Sequence, residues 1–186
     1  MIKAVIFDMD GVLIDTEPLH YRCWKEILKE HYDVELDYDI YLPCIGSTRQ
    51  FFRDLVKEHY GVDFPDLDEM NQIMKVKKSQ IVKAEGFPEM PGVENALKQL
   101  KEMGYKLAVA SSSPESEIMN AMTRLGLMPY FDSITSGDHV EHPKPEPDTF
   151  LLAAQRLNVP TGNCLVIEDS TNGGKAALAA KMDCVW

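Results

Sequence analysis

The hydrophobic positions of this chain form two kinds of segment, short continuous runs and longer stretches with helical spacing. Three short apolar runs occupy residues 4–7, 107–110 and 164–167, and polar or acidic residues follow each of them. Continuous hydrophobicity over a short run is typical of a strand that is buried on both faces of a parallel sheet. We therefore predict three buried strands at these positions.

Stretches with helical spacing separate the predicted strands in the C-terminal part of the chain. They cover residues 93–103, the segment from Pro114 to about Gly126, about 148–157, and 172–180. Gly104 follows the first of these helices at a position suited to a C-cap. Strands that alternate with helices are typical of a doubly wound α/β fold, in which helices cover both faces of a Rossmann-like parallel sheet.

The N-terminal third departs from this alternation. Between the first and second predicted strands, the apolar pattern predicts helices only, at residues 19–30, 48–59 and 67–84. A helical connection of roughly seventy residues is too long for a simple crossover between strands. An inserted helical subdomain explains it better.

These patterns predict two domains. Residues 1–15 and 87–186 would form the α/β core, and residues 16–86 an all-helical subdomain above the carboxyl edge of the sheet, where open α/β sheets bind ligands. Residues 183–186 have the pattern of a further strand at the end of the chain. We therefore expect the core to be truncated at its C-terminus.

Composition and charge restrict the possible partners. Of the 186 residues, 45% are hydrophobic and 26% charged, as in an ordinary soluble globular protein. The formal net charge of -11, from 19 basic and 30 acidic residues, disfavours binding to nucleic acid or to anionic membranes. An anionic substrate would need a local positive site, such as a metal ion with one or two basic side chains.

The remaining bulk features predict a cytoplasmic protein. The N-terminus lacks the pattern of a signal peptide, and no apolar run reaches the ~18 residues that a membrane span requires. The cysteines are scattered without CxxC spacing, which predicts reduced, structural thiols. They are Cys23, Cys44, Cys164 and Cys184.

Two acidic residues follow the first predicted strand. Asp8 and Asp10 lie two positions apart, so their side chains point to the same side of an extended chain. Such carboxylates repel each other unless a cation or a proton separates them, and they can divide the roles of nucleophile and acid/base. Gly11 would then allow a sharp turn. Alone, the pair is more typical of two solvated loop acids.

Polar residues also follow the later strand-like segments. Ser111 and Ser112 precede a predicted helix and could bind an anion, Lys144 lies between prolines that fix its backbone, and Glu168 and Asp169 follow the 164–167 run. Alone, the serines and the acids are more typical of helix caps. Together, four strand-like segments would end at one sheet edge in ligands for Mg²⁺ and donors for phosphoryl oxygens.

These residues resemble the four motifs of the haloacid dehalogenase superfamily. The first, DxDGVLIDTE, spans residues 8–17; the second lies at Ser111, the third at Lys144 in KPEPD, and the fourth in VIEDS at 166–170. The helical segment resembles the cap of the β-phosphoglucomutase-like branch, which includes many sugar-phosphate phosphatases. The resemblance implies a Mg²⁺-dependent phosphoryl-transfer enzyme.

The resemblance also implies a role for each acidic residue of the first motif. Asp8 would attack phosphorus to form an aspartyl-phosphate, and its other oxygen would bind Mg²⁺. Asp10 would protonate the leaving alkoxide, then activate the hydrolytic water, and would bind the metal through its backbone carbonyl. The presence of Asp10 argues against the dehalogenase branch, which lacks this acid/base residue.

The other three motifs supply the surrounding groups in the same family pattern. Ser111, the amide of Ser112 and Lys144 would hold the phosphoryl oxygens. Asp169 would complete the metal site, and Glu168 would contribute directly or through water.

Three residues of the helical segment resemble the cap residues that face the substrate in the mutase branch. They are His20, Trp24 and Arg49. Alone, a helical Trp24 is more typical of a core position and Arg49 of a surface position. Lys75 or Lys77 could add another basic group.

The sequence departs from the family pattern at two places. Pro114 and Glu115 occupy the positions where the mutase has a Lys-Asn pair that holds a second phosphate, and an acid there would repel that phosphate. Lys181 replaces a glycine at the end of the last helix, which predicts a left-handed non-glycine residue at a cost of about 1 kcal/mol.

The sequence therefore predicts a monomeric phosphatase acting on a small phosphorylated metabolite, preferably a sugar phosphate. A β-phosphoglucomutase-type isomerase is the alternative. A receiver-like signalling module and a non-catalytic protein that binds a phosphorylated ligand are less favoured possibilities.

Overall fold

The computed structural model describes residues 1–45 and 47–186. These residues divide into two compact units, one formed by residues 1–15 and 87–186 and the other by residues 16–86. The first unit contains all of the strands, and the second contains helices.

Five parallel strands form one sheet within the described residues of the first unit. They are β1 (Ala4–Phe7), β2 (Lys106–Ser111), β3 (Ser133–Ser136), β4 (Cys164–Ile167) and β5 (Asp183–Val185). Their order across the sheet is β3-β2-β1-β4-β5, so the first strand is central. The chain crosses the sheet in one direction and then in the other, which makes the fold doubly wound.

Eight α-helices are present among the described residues. In chain order they are α1 (Thr16–Tyr32), α2 (Tyr38–Tyr41), α3 (Arg49–Tyr60), α4 (Leu67–Glu85), α5 (Val93–Glu102), α6 (Glu115–Arg124), α7 (Asp148–Leu157) and α8 (Thr171–Ala179). The first four belong to the helical unit, and the last four pack on the sheet.

The two faces of the sheet explain why β1 is hydrophobic throughout. Ala4 and Ile6 face a buried cluster that includes side chains of α7 and α8. Val5 and Phe7 face the opposite cluster, which includes side chains of α5 and α6. Because both faces are covered, alternation of polar and apolar residues is absent from this strand. The predicted doubly wound parallel sheet with flanking helices is confirmed.

The strand β3 was missing from the sequence-based prediction. It pairs with β2, and its residues are Ser133, Ile134, Thr135 and Ser136. Thr135 and Ser136 are fully buried. The buried polar groups form hydrogen bonds, so the strand tolerates a composition that hides it from a search for apolar runs.

Aromatic side chains form much of the core of the helical unit. The Trp24 ring lies 4.6 Å from the Phe52 ring and 5.7 Å from the Phe64 ring, measured between centroids. All three side chains are buried. Trp24 is thus a core residue of this unit, as its helical position alone suggested. The short helix α2 is a further element that the sequence pattern did not predict.

The end of α8 confirms the prediction for Lys181. This residue has a φ of 58°, in the left-handed region. Its N–H donates to the carbonyl of Leu178, and the N–H of Met182 donates to the carbonyl of Ala177. These two bonds are those of a Schellman motif, which is usually built with glycine at this position.

Candidate active site

Asp8 lies at the carboxyl end of the central strand. Its N–H donates to the carbonyl of Ile167 on the neighbouring strand at 2.9 Å, so the backbone of Asp8 continues the sheet beyond β1. The side chain is buried, with a relative exposure of 10%. A buried carboxylate requires compensating partners, because desolvation disfavours its charge.

The main partner of Asp8 is Lys144. The Lys144 ammonium donates to Asp8 Oδ1 at 2.6 Å, to Glu168 Oε1 at 2.8 Å and to the carbonyl of Ala110 at 2.9 Å. It also lies 4.6 Å from the centroid of the Phe150 ring. Three acceptors satisfy its three N–H groups, so one buried cation connects β1, β2 and the residue after β4.

The position of Lys144 corrects one part of the sequence-based description. Lys144 does not end a strand, as the apparent pattern of four strand ends suggested. It lies in the loop between the 3₁₀ turn Gly137–His139 and α7. Proline residues flank it on both sides. The loop nevertheless delivers its side chain to the same sheet edge as Asp8.

Glu168 is held from several directions directly after β4. Its Oε2 atom accepts hydrogen bonds from the N–H of Ser170 at 2.7 Å and from the Ser170 hydroxyl at 2.9 Å. Its other oxygen contacts Lys144. A Cβ atom on Gly173 would lie 1.6 Å from Glu168 Oε1, so a side chain at this position would displace the carboxylate from its contacts.

The Asp169 carboxylate lies close to the backbone of Gly11 in the first motif. A Cβ atom on Gly11 would lie 1.8 Å from Asp169 Oδ2, and Gly11 has a φ of 80°. The left-handed backbone favours glycine at this turn, and a side chain there would displace the Asp169 carboxylate. The sequence predicted the turn, and the structure adds its contact with Asp169.

Three carboxylates meet at this edge of the sheet. Asp8, Glu168 and Asp169 each offer an oxygen within 4.8 Å of the others. Burial raises the pKa of Asp8 to about 7, an effect that Lys144 opposes and Glu168 reinforces. Burial and then the Glu168 charge also raise the pKa of Asp169. The negative charge at this edge exceeds what Lys144 neutralises.

The serine segment after β2 forms the other side of the site. Ser111 is buried, and its Oγ accepts the N–H of Ser113 at 3.1 Å. The Ser113 hydroxyl donates to Asp10 Oδ2 at 2.9 Å. Ser112 lies between them and is exposed. Hydroxyl and N–H groups therefore lie on the same sheet edge as the two acids of the first motif.

A separate cavity of about 310 Å³ lies within the helical unit. His20, Trp24 and Arg49 all line it. The Arg49 guanidinium lies 5.2 Å from the centroid of the Trp24 ring, and its Nε donates to Asn71 Oδ1 at 3.2 Å. Stacking on an aromatic face and a hydrogen bond both orient the planar cation.

Lys75 and Lys77, the two candidates for a further basic group in the helical unit, differ in their environments. Lys77 is buried and donates to Glu30 Oε2 at 2.6 Å, so its charge serves an ion pair between α4 and α1. Lys75 is exposed on α4.

The close approach between Gly173 and Glu168 was not predicted from the sequence. Residues Gly173 and Gly174 lie within the first turn of α8, where glycine lowers helix stability by about 1 kcal/mol relative to alanine. Glycine in a helix can therefore mark a close approach, which the structure shows at Gly173 and not at Gly174. The sequence shows this pair, but only the structure identifies Glu168 as the group that excludes a side chain.

The described residues contain no helix that is both long enough and apolar enough to cross a membrane.

Comparisons with known proteins place the chain in a family. The family model described as haloacid dehalogenase-like hydrolase matches residues 5–186. The chain is 36% identical over 184 residues to the fructose-1-phosphate phosphatase YqaB of Escherichia coli, covering 98% of this chain and 94% of that protein. It is 34% identical over 185 residues to the phosphorylated carbohydrates phosphatase of Thermotoga maritima, covering 100% and 84%.

A solved structure shows the same architecture. The β-phosphoglucomutase of Clostridium difficile is similar with a TM-score of 0.67 and 28% identity, and the match covers 99% of this chain and 83% of that one. The family match spans both the sheet and the helical unit. The chain therefore belongs to the haloacid dehalogenase-like hydrolases and is an enzyme of that family.

Proposed function

We propose that this chain is a Mg²⁺-dependent phosphatase that hydrolyses a small sugar phosphate through an aspartyl-phosphate on Asp8. The observation that carries the proposal is the buried Asp8 carboxylate, which Lys144 contacts at 2.6 Å while Glu168 and Asp169 lie beside it. Two relatives with 34% and 36% identity are named as phosphatases of phosphorylated carbohydrates.

The donor set at the sheet edge fits a divalent cation. Asp8, Glu168 and Asp169 offer hard carboxylate oxygens within 4.8 Å of one another, the ligand type that Mg²⁺ prefers. Burial, and then the charge of Glu168, raises the pKa of Asp8 and Asp169, so a bound cation would favour the ionised form of both. The backbone carbonyl of Asp10 would add a further oxygen. When bound, Mg²⁺ would keep Asp8 ionised and neutralise part of the phosphoryl charge.

The residues of the first motif would carry the bond changes. An Asp8 oxygen attacks phosphorus, the bond from phosphorus to the sugar oxygen breaks, and Asp10 gives its proton to that oxygen. Asp10 then takes a proton from water, whose oxygen attacks the phosphorus of the aspartyl-phosphate and releases inorganic phosphate and free Asp8. After the first step Asp10 is ionised and can accept the proton of water. After the second step it is protonated again and can serve the next turnover.

The remaining core residues would hold the phosphoryl group. The Ser111 hydroxyl and the Ser112 N–H can donate to its oxygens, where charge accumulates in the transition state. Lys144 would donate to them in place of one of its three present acceptors. Lys144 already contacts the nucleophile, so the same cation would orient Asp8 and attract the anion.

We further propose that residues 16–86 act as a cap that selects the leaving group. The cavity within this unit is lined by His20, Trp24 and Arg49, which combine an aromatic surface with hydrogen-bond donors. Such a combination suits a polyol, whose hydroxyls need donors and acceptors and whose C–H face packs on aromatic rings.

Hydrolysis is favoured over the mutase reaction by the residues after the serine segment. Glu115 lies where the mutase branch has a phosphate-binding Lys-Asn pair, and its carboxylate is 3.2 Å from His139 Nε2. Its N–H donates to Asp138 Oδ2 at 3.1 Å. Two acidic groups, Glu115 and Asp138, would repel the second phosphate of a bisphosphate intermediate.

The proposal extends to partners and location. The net charge of -11 disfavours nucleic acid and anionic membranes as partners. We propose a cytoplasmic monomer whose partner is a small phosphorylated metabolite.

Phosphate release from p-nitrophenyl phosphate and from a panel of sugar phosphates tests the function. We expect release that EDTA abolishes and MgCl₂ restores, and that Asp8→Asn lacks. With β-glucose 1-phosphate, formation of glucose 6-phosphate that depends on glucose 1,6-bisphosphate would support the mutase instead. If the wild type releases no phosphate from any of these compounds, the phosphatase proposal is wrong.

A further inference from the structure

The acid/base candidate Asp10 has a hydrogen-bond partner outside the four family motifs. The Ser113 hydroxyl donates to Asp10 Oδ2 at 2.9 Å, across 103 positions of sequence. We propose that Ser113 is a positioning residue that orients the Asp10 carboxylate toward the leaving-group oxygen. This inference rests on the proposed phosphatase reaction.

The backbone of Ser113 is fixed on both sides. Its N–H donates to the Ser111 Oγ at 3.1 Å, and its carbonyl accepts a hydrogen bond from the Ser136 hydroxyl at 2.7 Å. With both backbone polar groups bonded, the Cα position of Ser113 is well determined. Its short side chain has only one rotatable heavy-atom bond, so the hydroxyl can hold Asp10 at little cost in entropy.

The Ser136 anchor is itself rigid. Ser136 ends β3 and is fully buried, and its Oγ accepts the N–H of Asp138 at 3.0 Å. The following residue packs tightly on the serine segment, because a Cβ atom on Gly137 would lie 3.0 Å from the carbonyl oxygen of Ser112. The polar strand β3 thereby fixes the position of Ser113 through the hydroxyl of Ser136.

A serine hydroxyl suits a partner that gains and loses a proton during each turnover. The hydroxyl is one donor and two acceptors, and its hydrogen rotates freely. It can donate to the ionised Asp10 carboxylate or accept from the protonated one without moving a heavy atom. Ser113 would therefore preserve the orientation of Asp10 while Asp10 gives its proton to the leaving oxygen and later takes one from water.

Two small substrates that differ in leaving group test the inference. p-Nitrophenolate leaves readily as an anion, whereas phenolate from phenyl phosphate is much more basic and benefits more from protonation by Asp10. The parameter to compare is kcat/KM, because it reports the steps up to release of the phenol and excludes hydrolysis of the aspartyl-phosphate. Both substrates are similar in size, so contributions from the helical unit should largely cancel.

Three variants of Ser113 separate the effect of losing the hydroxyl from the effect of changing the side-chain volume, and one variant of Ser116 is the control. Ser113→Val and Ser113→Thr have nearly the same shape and differ in the hydroxyl, and Ser113→Ala removes it with less bulk. Ser116→Ala is the matched control, because Ser116 is an exposed serine three positions further along on α6.

We expect Ser113→Ala and Ser113→Val to lower kcat/KM for phenyl phosphate about tenfold more than for p-nitrophenyl phosphate, a part of the 10²–10⁴ that acid catalysis typically supplies. Ser113→Thr should retain most of the wild-type ratio, and Ser116→Ala all of it. Equal losses on both substrates, or none, would overturn the positioning role while leaving the phosphatase proposal intact. A wild type inactive on both substrates, or an active Asp8→Asn, would overturn the phosphatase proposal first, and this inference with it.

Discussion

Replacing Gly173 with alanine should destabilise the protein, although alanine is the better helix former. The alanine Cβ would lie 1.6 Å from Glu168 Oε1 and 1.8 Å from its carboxyl carbon. No rotation of a methyl group relieves such an overlap, so the Glu168 carboxylate must leave its position.

The cost follows from the bonds that Glu168 would lose. These are the bond from the Lys144 ammonium at 2.8 Å and those from the N–H and hydroxyl of Ser170 at 2.7 and 2.9 Å. Each bond to a charged group contributes about 1.5–3 kcal/mol, and some will re-form after the side chain shifts. Alanine recovers about 1 kcal/mol of helix propensity. We therefore expect a net loss of about 2–4 kcal/mol.

The adjacent glycine provides the matched control. A Cβ atom on Gly174 would meet nothing within 4 Å, so Gly174→Ala should raise the free energy of unfolding by about 0.5–1 kcal/mol. Urea denaturation followed by circular dichroism measures both changes as shifts in the midpoint at constant m value. Similar shifts of the same sign in the two variants would show that Glu168 does not constrain Gly173. Phosphatase activity should fall only in Gly173→Ala.

Three further predictions concern charge and backbone conformation. Lys181→Gly should stabilise the protein by about 1 kcal/mol in urea denaturation, because glycine removes the cost of the left-handed residue at the end of α8; no gain would contradict the assigned conformation. Lys144→Met should destabilise it by about 3–5 kcal/mol and abolish phosphate release, because the buried Asp8 and Glu168 carboxylates lose their shared cation; an active, stable variant would refute that role. Burial raises the pKa of Asp132, but the hydrogen bonds from Lys101 and a backbone N–H outweigh burial and lower it. The ionised Asp132 therefore stabilises the fold at neutral pH, and this stabilisation disappears as the pH falls through the lowered pKa. Asp132→Asn should therefore be less stable than the wild type at pH 7, with a difference that shrinks in acid; a difference that grows on acidification would reverse the sign of this argument.

Local patterns in the sequence predicted four of the five strands of the core, its four helices and its acidic motif. The strands β1 and β4 and the helix α7 have the bounds that the apolar pattern predicted, because burial on both sheet faces imposes a continuous run and burial on one helix face imposes a period. Lys181 also has the left-handed conformation that was predicted for the residue at the end of the last helix. Each of these features depends on residues that are neighbours in sequence.

Contacts between distant segments decided the rest, and a single sequence does not encode them in any local period. Lys144 meets Asp8 across 136 positions, and Ser113 meets Asp10 across 103. The strand β3 is polar because its buried hydroxyl groups form hydrogen bonds with other segments. Gly173 is an unfavourable residue for a helix, and its presence is explained by the Glu168 carboxylate, which occupies the space of a side chain. The sequence by itself predicted which residues gather at the sheet edge; the tertiary structure alone fixed which atoms touch, because those distances depend on how separate elements pack.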